Sequence, residues 1–212
     1  IFKSHSSHLE SHILIVNTPA VPQSHSEYVY FKNNGFNIIK RAEALGLITE
    51  QMHTIAVAGT HGKTTTSSLI AHILRESNID CSAFLGGIAT NYNTNLLLSK
   101  NITYSTPVVV EADEYDRSFL TLHPAIAVIT SVDADHLDIY GDKKHMEESY
   151  SLFARQVKPE GKLIIKKDIR EALDYGNRDV ITYSLKERSD YYTTDVTIKD
   201  GQYVYNIVSP IE

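Results

Sequence analysis

Apolar positions follow two rhythms along this chain. Continuous runs occur at Ile13-Leu14-Ile15-Val16, Ile55-Ala56-Val57-Ala58, Val108-Val109-Val110 and residues 125–132. Buried strands read this way, because a parallel sheet covered on both faces leaves neither side of the pleat to water. Residues 63–77 instead carry Leu69, Ile70, Ile73 and Leu74 at helical spacing, which predicts a helix packed on a sheet through that face, with His72 and Arg75 directed elsewhere. Shorter signals predict helices over 26–32, 41–47 and 142–157 and strands over 36–39, 162–165 and 179–185. Asn34-Gly35 reads as a turn, and two prolines in Thr18-Pro19-Ala20-Val21-Pro22 close the first run. Near the end, residues 191–199 and 202–208 alternate around Asp200-Gly201, the pattern of a tight β-hairpin.

Alternating β and α segments predict an α/β fold: a mainly parallel sheet flanked by helices, with an antiparallel hairpin near the C-terminal end. The polar stretch Thr49-Glu50-Gln51 marks a boundary near residues 48–53, so domains over 1–48 and 49–212 are expected. With 42% hydrophobic residues the chain can bury a real core, and a net charge of −6 without any Lys/Arg run argues against a nucleic-acid partner. No window approaches about 18 uninterrupted apolar residues, so no membrane span is expected. Cys81 is the only cysteine, which excludes an intrachain disulfide and makes the cytoplasm the expected compartment. The chain opens at Ile1 without an initiator methionine or a signal pattern, which suggests a piece of a longer protein.

Candidate chemistry sits where the strands stop, since open α/β sheets bind ligands beyond the carboxyl ends of their strands. The run at 55–58 leads into Gly59-Thr60-His61-Gly62-Lys63-Thr64-Thr65-Thr66, a glycine-rich turn and then a helix start. Glycines let backbone N–H groups approach phosphate oxygens, and the helix N-terminus adds positive dipole. Lys63 supplies a point charge and Thr64 a hydroxyl for Mg²⁺, which makes nucleoside triphosphate chemistry the leading reading. In the spacing G-x-x-x-x-G-K-[ST] the first glycine falls at position 57, where this chain has Val57, so the match is to a variant loop. His61, inside the loop, is a candidate substrate contact.

The run at 108–110 ends in Glu111-Ala112-Asp113-Glu114-Tyr115-Asp116-Arg117, with four carboxylates in six residues, and Glu111 is the candidate Mg²⁺ ligand. A solvated acidic loop or helix start is the plainer alternative. Asp133-Ala134-Asp135-His136-Leu137-Asp138 follows the next run, and a neutral imidazole at His136 could hold a second divalent ion. His5, His8 and His12, flanked by serines, read as a solvated segment, and Tyr191, Tyr192, Tyr203 and Tyr205 as strand packing.

Three of these segments, 59–66, 111–116 and Asp135-His136-Leu137-Asp138, follow one another in the order and contexts of the Mur ligases, and the chain resembles that family, within it the branch that adds L-alanine to UDP-N-acetylmuramate. Val57 fits the resemblance, because that family's loop is G-T-x-G-K-[ST]. Other branches place a carbamylated lysine about one helix after the motif histidine, whereas residues 150–153 here contain no lysine. Thr18-Pro19-Ala20-Val21-Pro22 and Lys40-Arg41-Ala42-Glu43 resemble the end of the family's Rossmann-like N-terminal domain. The resemblance thus implies that 1–48 is the remainder of a UDP-sugar-binding domain and 49–212 an incomplete central ATP-binding domain, with the C-terminal domain absent and the fragment inactive alone.

The chemistry it implies is attack of the muramate carboxylate on the γ-phosphate of ATP, then displacement of phosphate from the acyl phosphate by the amine of L-alanine. Gly59, Thr60, His61, Gly62, Lys63, Thr64 and Thr65 would bind ATP, and Thr64, Glu111 and His136 would hold Mg²⁺. Lys63, Glu111 and His136 would be catalytic, and Thr18, His61, Asp113 and Glu114 would contact substrate. Two alternatives stand beside it: a recycling ligase that joins a tripeptide to the same UDP-sugar, whose histidine motif usually reads Asp-His-Ala-Asp, and a nucleotide-binding module that forms no amide.

Overall fold

The computed structural model describes residues 13–133 and 140–210, the side chain of Asp116 excepted. The chain separates into two compact units, Ile1–Ile48 and Thr49–Glu212.

In the first unit, β1 (Leu14–Asn17) pairs in parallel with β2 (Asn37–Lys40), in register from Leu14↔Asn37 to Asn17↔Lys40. Helix α1 (Ser26–Asn33) crosses between them, and α2 (Arg41–Thr49) follows. The run at 13–16 is not the buried strand its composition predicts: Leu14 and Val16 are 46% and 48% exposed. Helix α1 likewise buries none of its own residues, and among the described residues of this unit no hydrophobic side chain is fully buried.

The second unit is one nine-stranded sheet ordered β11-β10-β9-β8-β7-β3-β6-β4-β5. Its strands are β3 (His53–Ala58), β4 (Ser82–Ala89), β5 (Thr94–Leu97), β6 (Pro107–Glu111), β7 (Ile126–Ile129), β8 (Lys162–Lys166), β9 (Asp179–Ser184), β10 (Tyr191–Lys199) and β11 (Gln202–Val208). Every pairing from β4 through β10 is parallel, and only β5 and β11 add antiparallel edges. The expected mainly parallel α/β sheet with a C-terminal hairpin is therefore present. Its central strands are closed to water: Ala56, Val57, Ala58, Val108, Val109 and Val110 are all fully buried, as their uninterrupted apolar runs require.

Helix α3 (Lys63–Glu76) packs on this sheet, but through a different face from the one its sequence predicts. Ser67 and Ala71 are its buried residues, with Ile70 and Leu74 partly buried against Ala83, Leu85, Leu97 and Val109. Leu69 and Ile73 point outward, 54% and 60% exposed. The phosphate loop fixes the helix at its first residue, so its small side chains meet the strands and bulky Leu69 and Ile73 are turned away. Arg75, expected to point elsewhere, reaches the carbonyls of Cys81 and Leu98.

Helix α4 (Lys143–Arg155) begins at Asp142, whose carboxylate accepts the His145 N–H at 2.9 Å. Its Tyr150 and Phe153 are fully buried, with Phe153 stacked on Phe119 at 5.0 Å and Tyr150 edge-on to it at 5.3 Å. The region without a lysine is thus filled by an aromatic cluster, each ring of which contributes on the order of 2–3 kcal/mol by burial.

Candidate phosphate site

Strand β3 lies between β6 and β7; the chain passes from β3 through a helix to β4 on the β6 side and later returns from β6 across β3 to β7, so the direction of the connections reverses at β3 and its carboxyl end lies at the sheet's switch point. Gly59 is the first residue past it, with φ +133°. A Cβ built there would sit 2.1 Å from Thr130 Oγ1 and 2.9 Å from the Ser131 backbone nitrogen, so only glycine lets the loop nest against the exit of β7. Gly62 ends the loop in the left-handed region and caps α3 without a side chain. The helix's first N–H groups therefore open onto the loop mouth, where an anion meets the positive end of the dipole.

Residues just past β7 stitch the loop in place. Thr130 donates its N–H to Ala58 O at 3.0 Å, and its hydroxyl, with one proton to give, lies between two acceptors, Ala58 O at 3.1 Å and the closer His61 O. Ser131 Oγ accepts the His61 N–H at 3.0 Å and shares a hydrogen bond with Thr60 Oγ1 at 2.8 Å. Thr60 Oγ1 also accepts the Asp133 N–H at 3.1 Å. His61 itself is exposed, its Nε2 3.9 Å from Asp133 Oδ2.

Lys63, the first residue of α3, folds back across the mouth. Its Nζ donates to Gly59 O at 2.8 Å and to Glu114 Oε1 at 2.8 Å, with Glu114 Oε2 also 2.8 Å away. The Glu114 side chain is 1% exposed and that of Lys63 15%. Glu111, at the end of β6, is held differently: Gly86 of β4 donates its N–H to Glu111 Oε2 at 2.8 Å. A Cβ on Gly86 would come within 2.2 Å of that carboxylate, and one on neighbouring Gly87 within 3.3 Å of Thr64 Cγ2. The Gly86-Gly87 pair therefore clears a space between Thr64 and Glu111. Two hard oxygen donors beside a phosphate-binding loop suit Mg²⁺, which keeps most of its ligands as water or phosphate oxygen. Among the described residues no trio of His, Cys, Asp or Glu side chains forms a denser metal cluster.

The structure thus brings Gly59, Thr60, His61, Gly62, Lys63, Thr64, Thr65, Glu111 and Glu114 to one sheet mouth. Asp113 stands in the same segment, but its carboxylate accepts the Tyr115 N–H at 3.0 Å, a turn-stabilising role. Thr18 belongs to the first unit, where its hydroxyl accepts the Ala20 N–H at 3.2 Å. His136, with His5, His8 and His12, lies outside the described residues. Thr130, Ser131, Gly86 and Gly87 are site-forming residues that motif reading misses. Their signals are a polar Thr-Ser pair closing an apolar run, and a glycine doublet inside a strand, which marks close approach of another group.

A buried strand, a two-glycine turn, and a lysine and hydroxyl opening a helix at the switch point together define a phosphate-loop α/β protein. Residues 57–211 match the Mur ligase middle domain, and the chain belongs to the Mur ligase family. It is 49% identical over 199 residues to the UDP-N-acetylmuramate–L-alanine ligase of Parabacteroides distasonis, covering 93% of this chain and 42% of that relative. The chain thus spans less than half the length of the curated relatives it matches. Among solved structures, the UDP-N-acetylmuramate-alanine ligase MurC of Thermotoga maritima superposes with a TM-score of 0.75 at 24% identity, over 94% of this chain and 44% of that one. The UDP-N-acetylmuramate:L-alanyl-γ-D-glutamyl-meso-diaminopimelate ligase of Neisseria meningitides gives the same TM-score at 23% identity, over 90% and 65%. These two likenesses establish the shared fold.

Proposed function

We propose that this chain carries the phosphate-activating centre of an ATP-dependent ligase that joins L-alanine to the carboxylate of UDP-N-acetylmuramate in peptidoglycan synthesis. The observation that carries the reading is Lys63, drawn back by Gly59 O and Glu114 over a two-glycine loop whose neighbour across the mouth is Glu111. The 49% identity to an alanine-adding ligase supports the choice of amino acid. On this reading unit 49–212 is the central ATP-binding domain, unit 1–48 is part of the UDP-sugar domain, and the remaining ATP and amino-acid contacts come from sequence beyond this chain. A cytoplasmic enzyme fits, and among the described residues no helix is long and apolar enough to cross a membrane.

A carboxylate does not acylate an amine until its oxygen becomes a leaving group. One muramate carboxylate oxygen attacks the γ-phosphorus, the bond from that phosphorus to the β–γ bridging oxygen breaks, and ADP leaves with the electron pair. The L-alanine nitrogen then attacks the acyl carbon, the acyl–oxygen bond breaks, phosphate leaves, and the amine gives up its proton. In such a transfer the protein mainly positions groups and offsets charge. Lys63 and the loop N–H groups hold the β- and γ-phosphates, and the Lys63 side chain, only 15% exposed, keeps its ammonium poorly hydrated, which strengthens its pull on phosphate oxygens. Thr64 and Glu111 would hold Mg²⁺, which supplies neutralisation of phosphate charge; His136 is the candidate ligand for a second ion.

Phosphate release from ATP tests the proposal in the full-length protein carrying this sequence, with UDP-N-acetylmuramate and either L-alanine or the tripeptide L-alanyl-γ-D-glutamyl-meso-diaminopimelate. Release only with L-alanine is expected. Release only with the tripeptide would reassign the protein to recycling, and release with neither would leave a nucleotide-binding module.

A further inference from the structure

We propose that Glu114 is a positioning residue for the reaction: it fixes the Lys63 ammonium at the loop mouth so that one of its protons is left for a transferring phosphate oxygen. The inference rests on the ligase reading of this site and adds a residue to which neither the loop motif nor a metal-ligand role extends.

A carboxylate with 1% exposure is costly to bury unless a cation lies against it, and Lys63 is that cation, with Nζ 2.8 Å from both carboxylate oxygens. The ammonium has three protons. Gly59 O accepts one at 2.8 Å, and the Glu114 carboxylate faces the ammonium with both oxygens at 2.8 Å and Oε1 as the hydrogen-bond acceptor; on this geometry the third proton is the one open to a phosphate oxygen.

Glu114 is itself held from behind. Its backbone carbonyl accepts the Tyr140 hydroxyl and, at 3.0 Å, the Arg117 N–H, while the Arg117 guanidinium lies 5.7 Å from the centre of the Tyr140 ring. Swinging Lys63 out to meet a phosphate would separate it from the buried carboxylate it pairs with at 2.8 Å, which is costly. The pair therefore keeps Lys63 where it stands, and nucleotide phosphates come to it. Fixing a charge before the reaction lowers the barrier without needing to tighten ground-state binding. A nearby negative charge even weakens the ground-state attraction of Lys63 for ATP. The consequence is a split: loss of Glu114 should lower kcat and leave nucleotide affinity intact.

The test is Glu114→Gln and Glu114→Asp in the full-length protein, with steady-state kinetics, ADP affinity by calorimetry and a thermal melt to confirm folding. For Glu114→Gln we expect kcat to fall by roughly 10- to 100-fold while KM for ATP and the ADP Kd stay within about 3-fold or tighten. Glu114→Asp, which keeps the charge at shorter reach, should recover part of kcat. If Glu114→Gln does not fold, Glu114→Asp carries the same readouts and should lose kcat at constant ADP affinity. An unchanged kcat in a folded variant overturns the proposal, as does a rise in KM and ADP Kd with kcat intact, which would make Glu114 a ground-state binding residue. Wild-type enzyme run alongside separates the two levels. Failure of the wild type to release phosphate with L-alanine counts against the ligase, whereas a normal wild type beside an unchanged Glu114→Gln counts against Glu114 alone.

Discussion

The mouth at the end of β3 and the β10–β11 hairpin are parts of the same sheet, yet they are held by different physics. At the mouth, glycines are forced by neighbours: a Cβ on Gly59 would strike Thr130, and one on Gly86 would strike Glu111. At the hairpin tip, a Cβ added to Gly201 would meet no described atom within 4 Å, and glycine is favoured there only by its φ of +75°. Strands β3 and β6 are buried, whereas every residue of β11 is exposed, including Tyr203 at 71% and Ile207 at 66%. The hairpin joins the sheet through two register pairs, Tyr191↔Tyr183 and Tyr192↔Ser184. A clamp reinforces that join: Asp190 accepts the Thr182 N–H at 2.8 Å and its hydroxyl at 2.7 Å. The lesson is that order in the mouth comes from mutual packing around a reactive space, and order in the hairpin from backbone pairing helped by side-chain hydrogen bonds such as the Asp190 clamp.

The largest effect that would sharpen this contrast is at Lys63. Lys63→Ala in the full-length protein should lower ADP formation by at least about 1000-fold while the circular-dichroism spectrum stays native. Turnover near wild type would remove the mouth's claim to chemistry.

Next come two glycine substitutions whose effects should cross. The nearest atoms that the new Cβ of Gly86→Ala would meet belong to the movable end of the Glu111 side chain, so we expect kcat to fall by about 10-fold or more with the melting temperature nearly unchanged. Gly201→Ala meets open space but must hold positive φ, so it should cost about 1 kcal/mol of stability, a fall of about 2–4 °C, with turnover unaffected. Matching effects of the two on both measurements would erase the distinction.

The smallest effect concerns acid. Hydrogen bonds from the Thr182 hydroxyl and N–H hold the Asp190 carboxyl below the usual carboxylate range. A depressed folded-state pKa contributes stability that is complete above the unfolded value, near 4, and is lost as pH falls through the folded value. Asp190→Asn should therefore be less stable than wild type at pH 6, and the gap should narrow as pH falls towards about 3. A gap that stays constant with pH would show that the clamp acts without its charge.

Much of this is legible in the residues, for reasons the same contrast explains. Ile55-Ala56-Val57-Ala58 and Val108-Val109-Val110 announce themselves because central parallel strands covered on both faces favour uninterrupted apolar runs, and Asp200-Gly201 because a tight two-residue hairpin turn favours positive φ at both positions, observed at 52° and 75°. The exposed face of α3 is not legible, because periodicity reports which residues are apolar, whereas the loop that anchors Lys63 decides which of them meet the sheet. Strand β4 is hidden because Gly86 and Gly87 interrupt its pattern, and those glycines serve Glu111 and Thr64, contacts made across the sheet that no local window contains. Tyr203 and Tyr205 alternate as packed strand residues do, but alternation specifies pairing, and both side chains remain largely exposed. Glu114 stands in the sequence only as one acid among four; its burial against Lys63 emerges once β3 and β6 lie side by side.

The most direct test of the central claim, that this mouth activates a carboxylate by phosphorylating it, is to label the muramate carboxylate of the substrate with ¹⁸O and follow the oxygen during ligation by the full-length protein. If the carboxylate oxygen becomes the acyl–phosphate bridge, the phosphate released on amide formation carries one ¹⁸O. Phosphate released without label, while amide forms normally, would contradict the account.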